Sequence, residues 1–182
     1  MPHIIKNLAV TFSAMTVLMT SQLAMAEAGD GESQLIDHLN PYVDIRYRLE
    51  TVDQDGLPRN ATASTVRIKA GLETVERQGF SVKLEVEGIA NIGDEKFNDT
   101  LNGRVQFPVV ADPEDVVLNQ AYVRWRRDGV ADAKLGRQTI NLDNQRWIGS
   151  VGWRQNDQTM DAAMVTVMPA KGFSATYGYS WR

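Results

Sequence analysis

The sequence predicts an all-β chain: an antiparallel up-and-down transmembrane β-barrel, here incomplete, with about seven strands after a signal peptide. Three observations lead there. Apolar and charged residues alternate with a period of two along several segments, no 3.6-residue apolar period of useful length appears, and long connections alternate with short ones.

Lys6 is the only Lys or Arg before Ala26, an apolar stretch runs from Leu8 to Leu23, and Ala24-Met25-Ala26 offers an A-x-A cleavage site. This is the layout of a secretory signal peptide. Thr11, Ser13, Thr16, Thr20, Ser21 and Gln22 make the segment too polar for a good spanning helix. The expected organisation is a signal peptide over 1–26, an N-terminal periplasmic segment over 27–40, and the barrel domain or its N-terminal part over 41–182. Glu32–Asn40 has room for one short turn of helix before Pro41.

The 19 basic and 23 acidic residues become 18 and 23 once Lys6 leaves with the leader, a formal charge of −5. Such a balance argues against a nucleic-acid partner, which needs a basic patch. The chain has no cysteine, so neither a disulfide framework nor thiol chemistry is available. Beyond the leader no apolar run is long enough for a spanning helix, so a membrane crossing has to use strands.

The first strand, about 42–50, sets Val43, Ile45, Tyr47 and Leu49 on one face against Asp44, Arg46, Arg48 and Glu50 on the other. The second, 64–74, opposes Val66, Ile68, Ala70 and Leu72 to Arg67, Lys69 and Glu73. The third, 80–91, opposes Phe80, Val82, Leu84 and Val86 to Ser81, Lys83, Glu85 and Glu87. The fourth is 117–126. Two weaker strands, 132–138 and 158–168, have no readable faces, because Lys134 sits among Ala133 and Leu135, and Met160, Ala162 and Met164 oppose Ala163, Val165 and Val167. The seventh is 172–181.

Loops 51–63, 92–116 and 139–157 are long, whereas 75–79, 127–131 and 169–172 are short turns. If every strand crosses one layer, all long loops fall on one side, as in outer-membrane barrels. Phe80, Trp125 and Phe173 then share the short-turn rim on the apolar face, with Tyr179 and Trp181 near the other rim, like the aromatic girdles of such barrels.

In this arrangement Val43, Ile45, Val66, Ile68, Val82, Leu84 and Val86 meet lipid. Arg46, Arg48, Arg67, Lys69, Lys83, Arg124 and Arg126 line the lumen, opposed by Asp44, Glu50, Glu73, Glu85 and Glu87. A wall with more cations than anions favours anions.

Enzymatic chemistry has little material. His38 is the only histidine outside the leader, and it precedes the first strand, so neither a Ser-His pair nor a His/Cys metal site can be assembled. Glu85 and Glu87 share a strand face as glycosidase carboxylates can, but such faces are ordinarily just solvated. Asp112-Pro113-Glu114-Asp115 lacks fixed calcium-ligand spacing and reads as an exposed acidic turn. No catalytic residue, cofactor or metal is expected.

The loop 139–157 is rich in Asn, Gln and Arg and carries Trp147 and Trp153, groups that suit a hydroxylated or carboxylated sugar as well as a merely polar cap. Around it stand Leu135-Gly136-Arg137-Gln138, Asn141-Leu142-Asp143-Asn144-Gln145-Arg146, Gly152-Trp153-Arg154-Gln155-Asn156 and Asp161-Ala162. Together with Pro108-Val109-Val110-Ala111-Asp112-Pro113-Glu114-Asp115, these segments resemble the alginate-export-type outer-membrane porins of Gram-negative bacteria. The resemblance runs from about Pro41 to the end. It implies a β-barrel channel in which loop segments narrow the pore, with Arg137, Asp143, Asn144, Arg146, Trp147, Trp153 and Arg154 as constriction-loop candidates. It does not imply alginate as the solute.

Seven strands depart from the even counts of bacterial single-chain barrels, and an unclosed sheet in lipid leaves edge groups unpaired at several kcal/mol each. Together with an end at Trp181-Arg182 inside an alternating strand, this gives the expectation of an N-terminal part of a larger barrel. The function expected is a porin-like channel passing small solutes or anionic saccharides passively. Its partners would be membrane lipid and lipopolysaccharide, the solute and the barrel-assembly machinery. The alternative is a soluble periplasmic β-sandwich or small β-barrel that binds a ligand, with the apolar faces as its core.

Overall fold

In the computed structural model residues 12–17 and 38–182 are described. Eight strands follow one another, β1 (Phe12–Val17), β2 (Leu39–Val52), β3 (Ala61–Thr74), β4 (Phe80–Asn91), β5 (Asp115–Arg127), β6 (Ala131–Gln138), β7 (Met160–Ala170) and β8 (Phe173–Ser180), and no helix occurs among the described residues. Each pairs antiparallel with the next in chain order. The result is one up-and-down sheet whose edges are β1 and β8, an open portion of a barrel wall. β2–β8 coincide in order with the seven expected strands. β2–β5 and β7 run 11 to 14 residues, enough for the roughly 9–11 that a tilted membrane strand requires.

β1 lies in the segment read as a signal peptide. It pairs Phe12 with Glu50 through Val17 with Ile45, covering part of the otherwise free edge of β2. A strand edge is a row of unpaired N–H and C=O groups, and an extended segment of the same chain can pair with it. Cleavage after Ala26 would remove β1 and reopen that edge. The rest of the leader and 27–37 lie outside the described residues, including most of the expected helical turn before Pro41. Leu39, Asn40 and Pro41 themselves are already strand.

The two faces of the sheet are inverted relative to a water-soluble protein. Arg48 is 5% exposed and Glu87 0%, and Glu50, Thr65, Arg67, Lys69, Ser81 and Glu85 are also buried. On the opposite face Ile68 is 45% exposed and Leu84 51%, with Tyr47, Leu49, Leu72, Val82, Val86 and Val123 likewise uncovered. Dense charge is buried and contiguous aliphatic surface is bare. A sheet in water would reverse this, because apolar burial drives folding there. An uncovered apolar band spanning strand after strand suits lipid. The aromatic positions agree: Phe80 and Phe173 are exposed at the short-turn rim, and Tyr179 and Trp181 pack against each other on the same face near the other rim.

Two devices tune the inner face. The β4–β5 register shifts between Glu85 and Val86, so that Asn119 is an extra residue and both Asn119 and Gln120 are buried on the charged side. Opposite Tyr42, β3 carries Gly71, and a Cβ there would stand 2.5 Å from the tyrosine ring. The missing side chain lets the ring lie across β3 so that its hydroxyl donates to Glu85 on β4.

The faces that the sequence left open are settled by the register. Leu135, Val165 and Val167 are exposed with the apolar band, whereas Lys134, Met164 and Thr166 lie on the inner side, where Thr166 faces Thr176 of β8 across a 2.9 Å hydroxyl contact.

The long loop 92–114 folds back onto the start of β3. Thr62 N–H donates to the Lys96 carbonyl at 2.8 Å, and Val110 N–H to the Asn98 carbonyl at 2.8 Å. This seats Phe97 and Val110 on Ala61 and Ala63, with Val52 beside them, in a small apolar plug.

Candidate functional site

The charged wall is built by alternation. Asp44, Arg46, Arg48 and Glu50 of β2, Arg67 and Lys69 of β3, and Lys83, Glu85 and Glu87 of β4 share one face because every second residue of a strand does. Charges this close in space need partners. Arg48 pairs with Glu50 and lies 3.4 Å from Asp112; Arg67 pairs with Asp44; Lys69 lies 3.3 Å from Glu87; Lys83 is 3.8 Å from Glu85. Nearer the short turns, Arg124 pairs with Asp132, and Arg126 with Glu76 at 3.1 Å and Asp128 at 3.3 Å.

The second half of loop 139–157 lies on this wall. Arg46 donates to the Gln155 side chain at 2.8 Å, to the Gly152 carbonyl at 2.9 Å and to the Arg154 carbonyl. Arg48 donates to the Trp153 carbonyl at 3.2 Å. Gln155, fully buried, donates through its amide to Thr65 Oγ1 at 2.9 Å and to the Thr65 carbonyl at 3.2 Å. Asp157 pairs with Lys69 and lies 3.8 Å from Arg67, while Arg154 reaches Glu50 at 3.4 Å. The Trp153 ring has the Arg154 guanidinium 4.4 Å and the Arg48 guanidinium 5.6 Å from its centroid.

Asp112 joins the two long loops to the wall. It is fully buried, accepts the Gln155 backbone N–H at 3.0 Å, and faces Arg48 at 3.4 Å and Arg154 at 3.9 Å. The expected exposed acidic turn at 112–115 is therefore corrected at its first residue, because two guanidinium groups and a backbone donor converge on it. Glu114 accepts the Asn91 N–H at 2.7 Å.

Glu85 and Glu87 are not arranged as a catalytic pair. Glu85 accepts from Tyr42, from Asn119 at 2.7 Å and from Gln120 at 2.9 Å, so its lone pairs are occupied by fixed donors. Glu87 lies against Lys69. Both belong to the ion-pair lattice of the wall.

The lumen-lining candidates Arg46, Arg48, Arg67, Lys69, Lys83, Arg124 and Arg126 all stand on one face, the first four beneath the inserted loop. The constriction candidates divide. Arg154 and Trp153 sit on the wall. Asp143, Asn144, Arg146 and Trp147 lie in the exposed first half of the loop, with Arg146 stacked 5.7 Å from the Trp147 centroid and Trp147 89% exposed. Arg137 makes a bidentate pair with Asp161 on β7, at 2.8 and 2.9 Å, and no contact joins it to the Arg46–Arg154 network. Sequence reasoning missed Gln155, Asp157 and Asp112, the groups that anchor the loop, since a loop has no period that reports where its side chains point. Gln155 and Asp157 had one available signal: they follow the Gly152-Trp153 turn in a segment otherwise rich in hydrogen-bonding side chains.

Residues 38–176 match the family model described as Alginate export. No curated protein and no solved structure matches the chain.

Proposed function

The chain belongs to the alginate export family, and from that premise we propose that it forms the wall and inserted loop of a channel passing small solutes or anionic saccharides passively. The family is one of outer-membrane transport proteins, not of enzymes. The observation that carries the finer reading is the inverted sheet: a bare aliphatic face outward and a dense ion-pair lattice inward, with a loop folded onto that lattice.

Passage then depends on width and charge, and no bond is made or broken. Arg46, Arg48, Arg67 and Lys69 are held by Asp44, Glu50, Glu87, Asp112 and Asp157 and by loop carbonyls. A passing carboxylate exchanges with these internal anions. Such exchange is cheap relative to bare desolvation, since each cation trades one charged partner for another. Export of the chain by the 1–26 leader, insertion by the barrel-assembly machinery, and contact with lipid and lipopolysaccharide complete the proposal. The soluble alternative has no observation in its favour, because the apolar face that would be its core is uncovered.

Replacing Arg46, Arg67 and Lys69 together by Gln should shift the reversal potential in a planar bilayer toward cation preference. Three positive charges go, and Asp44 and Asp157 lose their partners. An unchanged reversal potential would mean that these side chains do not face the conducting path.

A further inference from the structure

The wall is not of even height. β6 has 8 residues and stands between β5 with 13 and β7 with 11. A tilted strand needs roughly 9–11 to cross lipid. β4 pairs with β5 as far as Asp115, whereas β6 pairs with β5 only over Ala121–Arg127. Among the described residues, 115–120 therefore has no strand partner on its β6 side. At the end of β6 the chain leaves as loop 139–157, and β5 and β7 lie two strand spacings apart, about 10 Å.

This notch holds a cleft of about 660 Å³, and residues of both faces line it. Leu118 is registered with Val86 on the lipid side, and Arg137 and Asp161 share the row of Leu84 and Ala121 on that side. Met160 and Ser180 belong to the inner side, with the parity of Met164 and Thr176. A space bordered by both faces of one sheet leads through it. The outer lip is charged. Arg137 grips Asp161 with two bonds, at 2.8 and 2.9 Å, and donates to the Leu118 carbonyl at 3.3 Å, which caps one free backbone group of β5. A free strand edge and a guanidinium–carboxylate pair do not suit hydrocarbon, so this stretch of wall belongs at headgroup level.

We propose that the notch is a lateral port through the wall, occupied by the headgroup of a zwitterionic phospholipid that enters from the adjoining leaflet. The exposed apolar band reaches its edge through Leu135, Leu118 and Trp181, so acyl chains have a continuous surface to lie on. A headgroup carrying both signs can lie against the Arg137–Asp161 pair, phosphate toward the guanidinium and ammonium toward the carboxylate, and leave neither protein charge alone. A purely anionic head would have to compete with Asp161 for Arg137. The lipid occupant rests on the channel reading; the notch itself does not.

The test uses Met160→Cys and Met164→Cys, two positions on the same inner face of β7, in full chain inserted into phosphatidylcholine vesicles. Each thiol carries an environment-sensitive fluorophore, and the quencher is phosphatidylcholine spin-labelled near its headgroup. The label at 160 should lose fluorescence to this lipid although it stands on the inner face, and the label at 164 should keep it. Ser180→Phe, which fills the cleft from β8, should restore the fluorescence at 160. Full fluorescence at both positions overturns the port and leaves the channel reading intact. Quenching at 160 that survives Ser180→Phe means that lipid arrives by another route, and likewise overturns the port. Quenching at both positions means that the inner face of β7 meets lipid throughout, which overturns the port and the channel reading together.

Discussion

Leu84→Lys should prevent stable insertion of the chain into lipid bilayers. Leu84 lies in the middle of β4, is 51% exposed, and shares the bare face with Ile68, Leu72, Val82 and Val86. A lysine at the midplane of a lipid-facing barrel strand costs about 2–4 kcal/mol. The nearest carboxylates of the same strand are not available on that side, since Glu85 and Glu87 point to the opposite face. The measurement is the fraction of chain that becomes heat-modifiable on gels after refolding with vesicles. Leu101→Lys, in an exposed loop position, is the matched control and should insert like wild type. If Leu84→Lys inserts as well as Leu101→Lys, the β4 outer face does not meet lipid.

Asp112→Ala should release the inserted loop. Asp112 is fully buried between Arg48, Arg154 and the Gln155 N–H, and truncation leaves that N–H without an acceptor and removes one carboxylate from two guanidinium groups. Breaking a buried ion pair by removing one partner costs about 3–5 kcal/mol. Arg48 and Arg154 keep Glu50, which places this case at the lower end. About 3 kcal/mol corresponds to roughly a hundredfold in the loop-opening equilibrium. Limited proteolysis should therefore cut within 139–157 much faster in the variant, and cleavage outside loops 92–114 and 139–157 should be unchanged. Equal cleavage rates in wild type and variant would show that the loop is held by other contacts.

Much of this architecture is legible in the residues. The strands at 42–50, 64–74 and 80–91 are readable because Val, Ile, Leu and Tyr alternate with Arg, Lys, Asp and Glu, and a one-residue slip would exchange every side chain between the faces. What alternation cannot carry is the sign of burial. The same pattern serves a soluble sheet and a membrane sheet, and only the bare face of Ile68 and Leu84 against the buried Arg48 and Glu87 distinguishes them. β6 and β7 were unreadable because Ala and Met stand on both faces, so their inner side emerges only from pairing with β5 and β8. Lys134 was missed for that reason. The bulge at Asn119 was invisible because two polar residues in succession look like an interruption, when here both are needed to bond Glu85. Asp112 was misread because a local acidic run says nothing of Arg48 and Arg154, which reach it from distant parts of the chain.

The chain has no cysteine, so single thiols can be placed without background. The most direct measurement is a one-at-a-time cysteine scan of positions 80–89 in vesicle-inserted protein. An environment-sensitive label reports quenching by spin-labelled lipid, and a charged water-soluble thiol reagent reports access from the aqueous side. The account predicts strict alternation: positions 80, 82, 84 and 86 quenched by lipid, and positions 81, 83, 85 and 87 reached, if at all, only by the aqueous reagent. The opposite assignment, or a segment protected from lipid at every position, would mean that the apolar face is a packed core and would contradict the channel.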